Sequence, residues 1–143
     1  MQISVKWLAE LVEELPPVEQ LADLLTHAGL EVEAIERRGE GLDRVVVGRV
    51  LSKEPVPGSD KLNLCRVDVG QGEPLSIVCG ASNYDVGARV PTALVGAELP
   101  GGLRIERRRL RGVESAGMLC SEKELGLSEE SSGLMHLEPD APV

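Results

Sequence analysis

The chain is poor in aromatic residues: its 143 positions hold one tryptophan, one tyrosine and no phenylalanine. Proteins that bind single-stranded nucleic acid usually stack bases on several aromatic side chains, so this composition disfavours that binding mode. The three cysteines form no CxxC pair, which argues against a disulfide scaffold and a zinc site. No apolar run approaches the roughly 18 residues of a membrane helix, and the N-terminus lacks the pattern of a signal peptide. We therefore expect a cytoplasmic protein with no membrane partner.

Residue types that carry catalysis are also scarce. The only histidines are His27 and His136, and no serine has a histidine close enough in sequence to suggest a general base. The three cysteines lie among apolar residues, which is typical of small core side chains. No glycine-rich loop follows a Walker or dinucleotide-binding pattern. We predict no catalytic residue, no cofactor site and no metal site in this chain.

The net charge of −9 is distributed unevenly along the sequence. Residues 1–43 carry a net charge of −7, residues 44–120 carry +3, and residues 121–143 carry −5. A basic middle between acidic ends favours an anionic partner for the middle. An ordinary solvated surface would give the same pattern, so charge alone leaves both interpretations open.

The first 42 residues predict two helices and a short strand. Ser4 is placed to cap a helix that contains Trp7, and a second helix from Val18 is expected to end at Gly29. Residues 30–35 then alternate in the manner of a half-buried strand. Because so short a unit cannot bury a core of its own, we predict that residues 1–42 form an incomplete α/β unit.

Strand patterns dominate from residue 43 to residue 120. Short apolar or alternating runs are separated by turns rich in glycine, such as Gln71-Gly72. The expected strands cover 45–51, 62–69, 75–79, 88–95 and a stretch from 103 that needs a bulge near 107–109. Five short strands in about 80 residues fit a small closed barrel. We predict a mainly β fold with this barrel at 43–120, followed by an acidic extension with a short helix at 121–143.

Arginines crowd the end of the predicted barrel. Five of the eight residues at 104–111 are arginine, and Glu106 is the one acid among them. Together with basic residues on other strands and loops, they would contact phosphates if the fold brings them to one face. The backbone of a folded RNA suits such a surface better than unpaired bases do. The alternative is a solvated strand edge whose charges discourage edge-to-edge pairing.

Three segments, in order, resemble signature blocks of the tRNA-binding OB domain found in several aminoacyl-tRNA synthetases. These are PGSDKLNLCRVDVG at 57–70, IVCGASN at 77–83 and LRGVESAGMLCS at 110–121. In the third block, Gly112 and Gly117 are expected to allow a bulge and a tight barrel corner. In the first block, Asp60 is expected to stabilise the turn through its side chain.

The rest of the chain resembles the N-terminal region of the bacterial phenylalanyl-tRNA synthetase β subunit. The residues concerned are Ile3-Ser4 with Trp7-Leu8, AGLEVE at 28–33 and EKELGL at 122–127. The chain departs from the family pattern at Val56, where many members have histidine. The resemblance implies that residues 1–42 belong to an α/β domain completed by later chain, and that residues 121–143 return toward that unit.

The resemblance also implies a function. The family enzyme is an α₂β₂ heterotetramer that uses ATP and magnesium to attach phenylalanine to its tRNA. Its aminoacylation site lies on the α subunit and its editing site in later β domains, so this region is expected to be non-catalytic and to contribute tRNA binding. Two alternatives stay open: a structural or assembly domain with little RNA affinity, and a freestanding tRNA-binding protein acting in trans.

The RNA contacts are assigned to the basic residues and to two polar residues that end the second and third blocks. The predicted set is Lys53, Lys61, Arg66, Asn83, Arg89, Arg104, Arg107, Arg109, Arg111 and Ser121.

Overall fold

The computed structural model describes residues 1–129 and 131–143 and divides the chain into two units, 1–38 and 39–143. The first unit contains helix α1, Val5–Leu11, and helix α2, Val18–His27. Ser4 caps α1 as predicted, because its Oγ accepts a hydrogen bond from the Trp7 amide at 3.3 Å. Gly29 ends α2 with a φ of +92°. The amides of Gly29 and Leu30 donate to the carbonyls of Thr26 and Leu25, which is a Schellman C-cap.

The predicted strand at 30–35 is wrong. These residues belong to no strand, and Leu30 and Ile35 are 60% and 43% exposed. An alternating sequence becomes a strand only where a neighbouring strand pairs with its N–H and C=O groups. Residues 1–38, all of which are described, contain two helices and no such neighbour.

The second unit is built on a five-stranded antiparallel sheet and a short hairpin. The strands are β1 Val45–Pro55, β2 Asn63–Asp68, β3 Leu75–Cys79, β4 Arg89–Leu94, β5 Arg108–Leu110, β6 Val113–Ser115 and β7 Gly117–Leu119. β1 lies in the centre of the five-stranded sheet, and the strand order is β3-β2-β1-β4-β7. The register of β1 against β2 shifts between Val50 and Ser52, which marks a bulge that bends the long strand.

The sheet curves until its two ends nearly meet. The Ala116 amide donates to the Ser76 carbonyl at 2.8 Å, and the Val78 amide donates to Ser115 Oγ at 3.0 Å. These two bonds join β3 to the β6–β7 segment and form the seam of the barrel. The predicted mainly β fold with a small OB-type barrel is confirmed, although the preceding unit is helical.

The barrel core is aliphatic. Cys65 and Val67, on one face of β2, are fully buried as the alternation predicts, and Val50, Ile77 and Val90 pack in the same cluster. All three cysteines are free and buried, so they are core residues as expected.

The predicted single strand from residue 103 is wrong. The chain forms a hairpin in which Leu110 of β5 pairs with Val113 of β6. Between them, Arg111 and Gly112 have φ values of +52° and +79°, the signs of a type I′ turn. A positive φ is uncommon for arginine, so the sequence around Arg111 does not indicate a turn. For that reason the run of arginines predicts one continuous strand.

Residues 121–143 pack on the barrel. The predicted short helix is a single turn at 121–127. The Met135 amide then donates to the Cys120 carbonyl at 3.1 Å, and the Leu137 amide donates to the Arg89 carbonyl at 2.9 Å. These two bonds hold the segment on the barrel, and the return toward the N-terminal unit that the resemblance implies stays a prediction.

Candidate nucleic-acid interface

The β5–β6 hairpin presents arginines on one exposed face. Arg109 lies directly opposite Glu114 in the ladder, so both side chains point to the same side. Arg107 shares that side, because its Nη1 donates to Glu114 Oε1 at 2.5 Å. The Glu114 carboxylate therefore pairs with Arg107 and shares a side of the hairpin with Arg109. We call Arg107, Arg109, Arg111 and Glu114 the hairpin face.

Three of the predicted contacts near this hairpin carry unpaired charges. Arg104 lies just before the hairpin, where its backbone forms an isolated antiparallel β-bridge with that of Glu98. Arg111 lies at the turn. Arg104, Arg109 and Arg111 are all exposed. Within residues 1–129 and 131–143, none of their guanidinium groups has a hydrogen-bond or ion-pair partner. Such groups can meet phosphates without first breaking an internal contact.

Lys61 and Arg66 are exposed on the β1–β2 side of the barrel. Arg66 Nη1 donates to Ser76 Oγ at 3.0 Å, which fixes the side chain across β2 and β3 and leaves the other guanidinium donors to solvent. Lys61 lies in a tight turn in which Ser59 Oγ accepts hydrogen bonds from the amides of Lys61 and Leu62. Ser59 thus performs the role that the sequence assigned to Asp60.

Lys53 has internal partners. Its Nζ donates to the Tyr84 carbonyl at 2.8 Å and lies 4.2 Å from the centroid of the Tyr84 ring. Tyr84 itself is 2% exposed, and its hydroxyl lies 3.0 Å from Cys65 Sγ. The tyrosine is therefore a core residue rather than a platform for a base, and Lys53 holds the loop that carries it.

Asn83 and Arg89 anchor the C-terminal segment. Asn83 Nδ2 donates to the Leu134 carbonyl at 3.0 Å, and Asn83 Oδ1 accepts from the Leu134 amide at 2.9 Å. Arg89 Nη1 donates to the Ala141 carbonyl. Both side chains use their polar groups to hold the segment after residue 130 against the barrel.

Ser121 is 8% exposed and forms a capping box with Glu124. The Ser121 amide and hydroxyl both donate to Glu124 Oε2, at 2.6 and 2.9 Å, and the Glu124 amide donates back to Ser121 Oγ at 3.4 Å. Reciprocal bonds of this kind satisfy the free donors at the start of a helical turn. The sequence S-x-x-E at 121–124 carries this signal.

Comparison with known proteins decides the family. Residues 45–143 match the family model tRNA_bind, described as "Putative tRNA binding domain". The chain belongs to this tRNA-binding domain family. The matched range includes the whole barrel, the hairpin face and the C-terminal segment, so all ten predicted RNA contacts lie within the tRNA-binding domain.

Similar sequences are β subunits of a ligase. The chain is 58% identical over 139 residues to the phenylalanine–tRNA ligase β subunit of Anaeromyxobacter dehalogenans, covering 97% of this chain and 17% of that subunit. It is 52% identical over 143 residues to the β subunit of Dechloromonas aromatica, covering 100% of this chain and 18% of that subunit. The chain thus spans less than a fifth of these relatives and matches their N-terminal part.

A solved structure with partial similarity is the C-terminal domain of Plasmodium vivax p43. It is 25% identical, with a TM-score of 0.43, and the match covers 55% of this chain and 46% of that one.

The thiols of the tRNA-binding domain are uncharged at neutral pH. Burial raises the pKa of Cys65 and of Cys79, and it raises the pKa of Cys120 to about 12. Since the thiolate is the reactive form, none of the three is an activated nucleophile.

Among the residues described, no three His, Cys, Asp or Glu side chains cluster as a metal site, so the residues present do not fit a magnesium centre. No described helix is long and apolar enough to cross a membrane.

One residue of the hairpin face was missed from the sequence, and the position that departs from the family pattern lies in the core. Val56, where many family members have histidine, is 1% exposed, so its side chain faces the interior. Glu114 was not assigned to the site, because its position opposite Arg109 follows only from the turn at Arg111-Gly112. The signal available was the Arg111-Gly112 pair between Leu110 and Val113, which is weaker than Asn-Gly or Asp-Gly.

Proposed function

We propose that this chain binds tRNA as a non-catalytic part of a phenylalanine–tRNA ligase β subunit, with the hairpin face as the main contact. The observation that carries the proposal is an exposed arginine hairpin within a domain of the tRNA-binding family. Arg104, Arg109 and Arg111 are free to pair with phosphates, and each such contact releases counterions from the RNA. The backbone of a folded RNA suits this surface because it needs no stacking platform.

The ten predicted residues divide into two groups under this proposal. Lys61, Arg66, Arg104, Arg107, Arg109 and Arg111 contact the phosphates. The polar groups of the other four side chains already bond within the domain, so these residues hold its loops and the C-terminal segment in place. They are Lys53, Asn83, Arg89 and Ser121.

The catalytic functions of the ligase belong to other parts of the enzyme in this proposal. The α subunit, in an α₂β₂ assembly in the cytoplasm, would join phenylalanine to tRNA with ATP and magnesium. Because the relatives are more than five times longer than this chain, we infer a role within a longer subunit rather than as a freestanding protein. The competing role is an assembly domain with little RNA affinity, which the net charge of −9 favours.

A charge-reversal pair tests the proposal. Arg107→Glu with Arg109→Glu should weaken binding of phenylalanine tRNA by the 143-residue chain at least tenfold at about 100 mM salt. The slope of log affinity against log salt should fall by about 2, since each lost phosphate contact removes about 0.9. Filter binding across a salt series measures both quantities.

The matched control is Lys6→Glu with Arg38→Glu, which changes the net charge equally but lies in the first unit. It should leave the slope unchanged. Equal affinity and slope for the hairpin variant and the unmodified chain would reject the tRNA role and favour the assembly role.

A further inference from the structure

One end of the barrel is open and apolar. The strand ends that meet there are the start of β1, the end of β2, the start of β3 and the end of β4, with Ala116 between β6 and β7. Together they surround a cavity of about 280 Å³. Its aliphatic lining consists of Val46, Val69, Leu75, Leu94 and Val95.

The lining is incompletely covered by the protein. All five aliphatic side chains are half-buried, whereas Val67 and Ile77, further inside the barrel, are fully buried. Ligand sites commonly enclose about 300–1,000 Å³ and combine apolar walls with a few placed polar groups. At about 280 Å³ the cavity lies just below that range, a size for one small ligand such as a single nucleoside.

The polar groups around the cavity are cationic or neutral hydrogen-bonding groups. Arg44, Gln71 and Arg107 complete its lining. The Arg44 side chain lies over Gly96, where an added Cβ would be 3.4 Å from Nε and 3.6 Å from Cζ. Because Gly96 has no side chain, the Arg44 guanidinium can lie against its backbone without a close contact. Within the described part of the chain, Arg44 has no side-chain hydrogen bond or ion pair.

Arg107 joins this cavity to the hairpin face. Arg107 is among the residues that line the cavity, and its guanidinium pairs with Glu114 on the hairpin face. The cavity and the hairpin face therefore share Arg107 and lie next to each other. The chemistry of the lining matches one nucleotide: aliphatic walls for a base, a guanidinium plane on which a base can stack, Gln71 for a base edge, and two cations for the phosphate.

We propose that this cavity binds one unpaired nucleotide of the tRNA held on the hairpin face. The proposal rests on the proposed function and extends it by naming a second, base-accepting site. At this site, aliphatic walls and Arg44 take the place of an aromatic stacking platform. We call this cavity the nucleotide pocket.

Methyl NMR of the full 143-residue chain tests the nucleotide pocket. The chain, labelled at Leu and Val methyl groups, is titrated with AMP, GMP, CMP and UMP, and separately with inorganic phosphate. We expect at least one nucleotide to shift the methyl signals of Val46, Val69 and Leu94 while those of Val50 and Val90 stay fixed. Phosphate alone should leave the same pocket methyls unshifted.

Two variants give the matched comparison. Arg44→Ala should weaken the nucleotide-induced shifts at least tenfold in apparent affinity, because it removes a cation and the stacking plane. Arg49→Ala, also an exposed arginine of the β1 region but paired with Asp68 and outside the pocket, should leave them unchanged. Methyl dispersion in each spectrum reports that the variant is folded.

The outcomes separate this proposal from the function on which it rests. If tRNA binds the chain without moving the pocket methyls, the pocket proposal fails and the tRNA role stands. If tRNA does not bind, the proposed function fails; nucleotide-induced pocket shifts would then support only a free-nucleotide site, and the proposal as stated is overturned. Equal shifts with phosphate and nucleotides would also overturn it.

Discussion

Arg109 lies directly opposite Glu114 in the β5–β6 ladder, and the same carboxylate pairs with Arg107. The arginine-rich hairpin face therefore contains an acid. Its side chain is 49% exposed, so the ion pair adds little to stability. Its main effect is to reduce the positive potential that a phosphate would meet.

Removing that carboxylate should strengthen RNA binding. Glu114→Gln removes a negative charge beside Arg107 and Arg109, so the affinity for tRNA should rise and should fall more steeply with added salt. Binding across a salt series measures this. Glu54→Gln, on the exposed end of β1, should change neither. A weaker affinity for Glu114→Gln in a folded protein would mean that the ion pair positions Arg107 for binding.

Gly117 is required by its close contacts. Its φ is +153°, and a Cβ there would lie 2.8 Å from the Ala93 carbonyl oxygen and 3.2 Å from Ile77 Cδ1. Gly117→Ala should lower the free energy of unfolding by about 1–3 kcal/mol through overpacking. Gly101→Ala, with no atom within 4 Å of its Cβ, should be nearly neutral. Denaturant titration compares them, and equal midpoints would contradict the expected strain.

Ser121 should matter for stability rather than for RNA. Ser121→Ala breaks the capping box with Glu124 and should lower the free energy of unfolding by about 1 kcal/mol. The tRNA affinity of the folded variant should be unchanged. Ser82→Ala, at an exposed position, serves as the comparison. Lost binding with unchanged stability would return Ser121 to the set of RNA contacts.

Alkaline pH should destabilise the barrel through its buried thiols. Burial raises the pKa of Cys120 from 9.0 to about 12, so above pH 9 the unfolded chain releases a proton that the folded chain keeps. The stabilisation is complete below pH 9 and is lost as pH rises toward 12, at about 1.4 kcal/mol per pH unit for this thiol. Cys65 and Cys79, whose pKa values are also raised, add to the slope.

A cysteine variant isolates this effect. The unfolding free energy of Cys120→Ala should fall less steeply between pH 9.5 and 11 than that of the unmodified chain, by about 1.4 kcal/mol per pH unit. Denaturant titrations at several pH values give both slopes. Parallel slopes would show that the Cys120 thiol titrates alike in the folded and unfolded states.

Local patterns predicted the central strands well. β2, β3 and β4 lie within a residue of their expected limits, because alternating apolar residues are bounded by turn residues such as Gln71-Gly72. The helix ends were equally readable from Ser4 and Gly29, whose capping geometry is local. Residues 30–35 failed, because alternation carries no information about whether a partner strand is present.

Only part of the candidate site could be predicted from the sequence. The arginine cluster was found by composition, but the hairpin depends on an arginine with positive φ. Lys53, Asn83 and Arg89 have partners 31 to 52 positions away, and no local pattern reports such contacts. Arg44 and the nucleotide pocket were missed for the same reason, since strand ends distant in sequence meet there.

The seam between β3 and the β6–β7 segment makes one edge of the barrel a point of local opening. A serine hydroxyl occupies a place where a backbone carbonyl would continue the ladder, so fewer bonds must break there than between β1 and β2. Opening exposes the free edge of β3, a surface on which a second chain can add a strand. Amide hydrogens of Val78 and Ala116 should therefore exchange with deuterium before those of β1, and strand exchange between copies should begin at this edge.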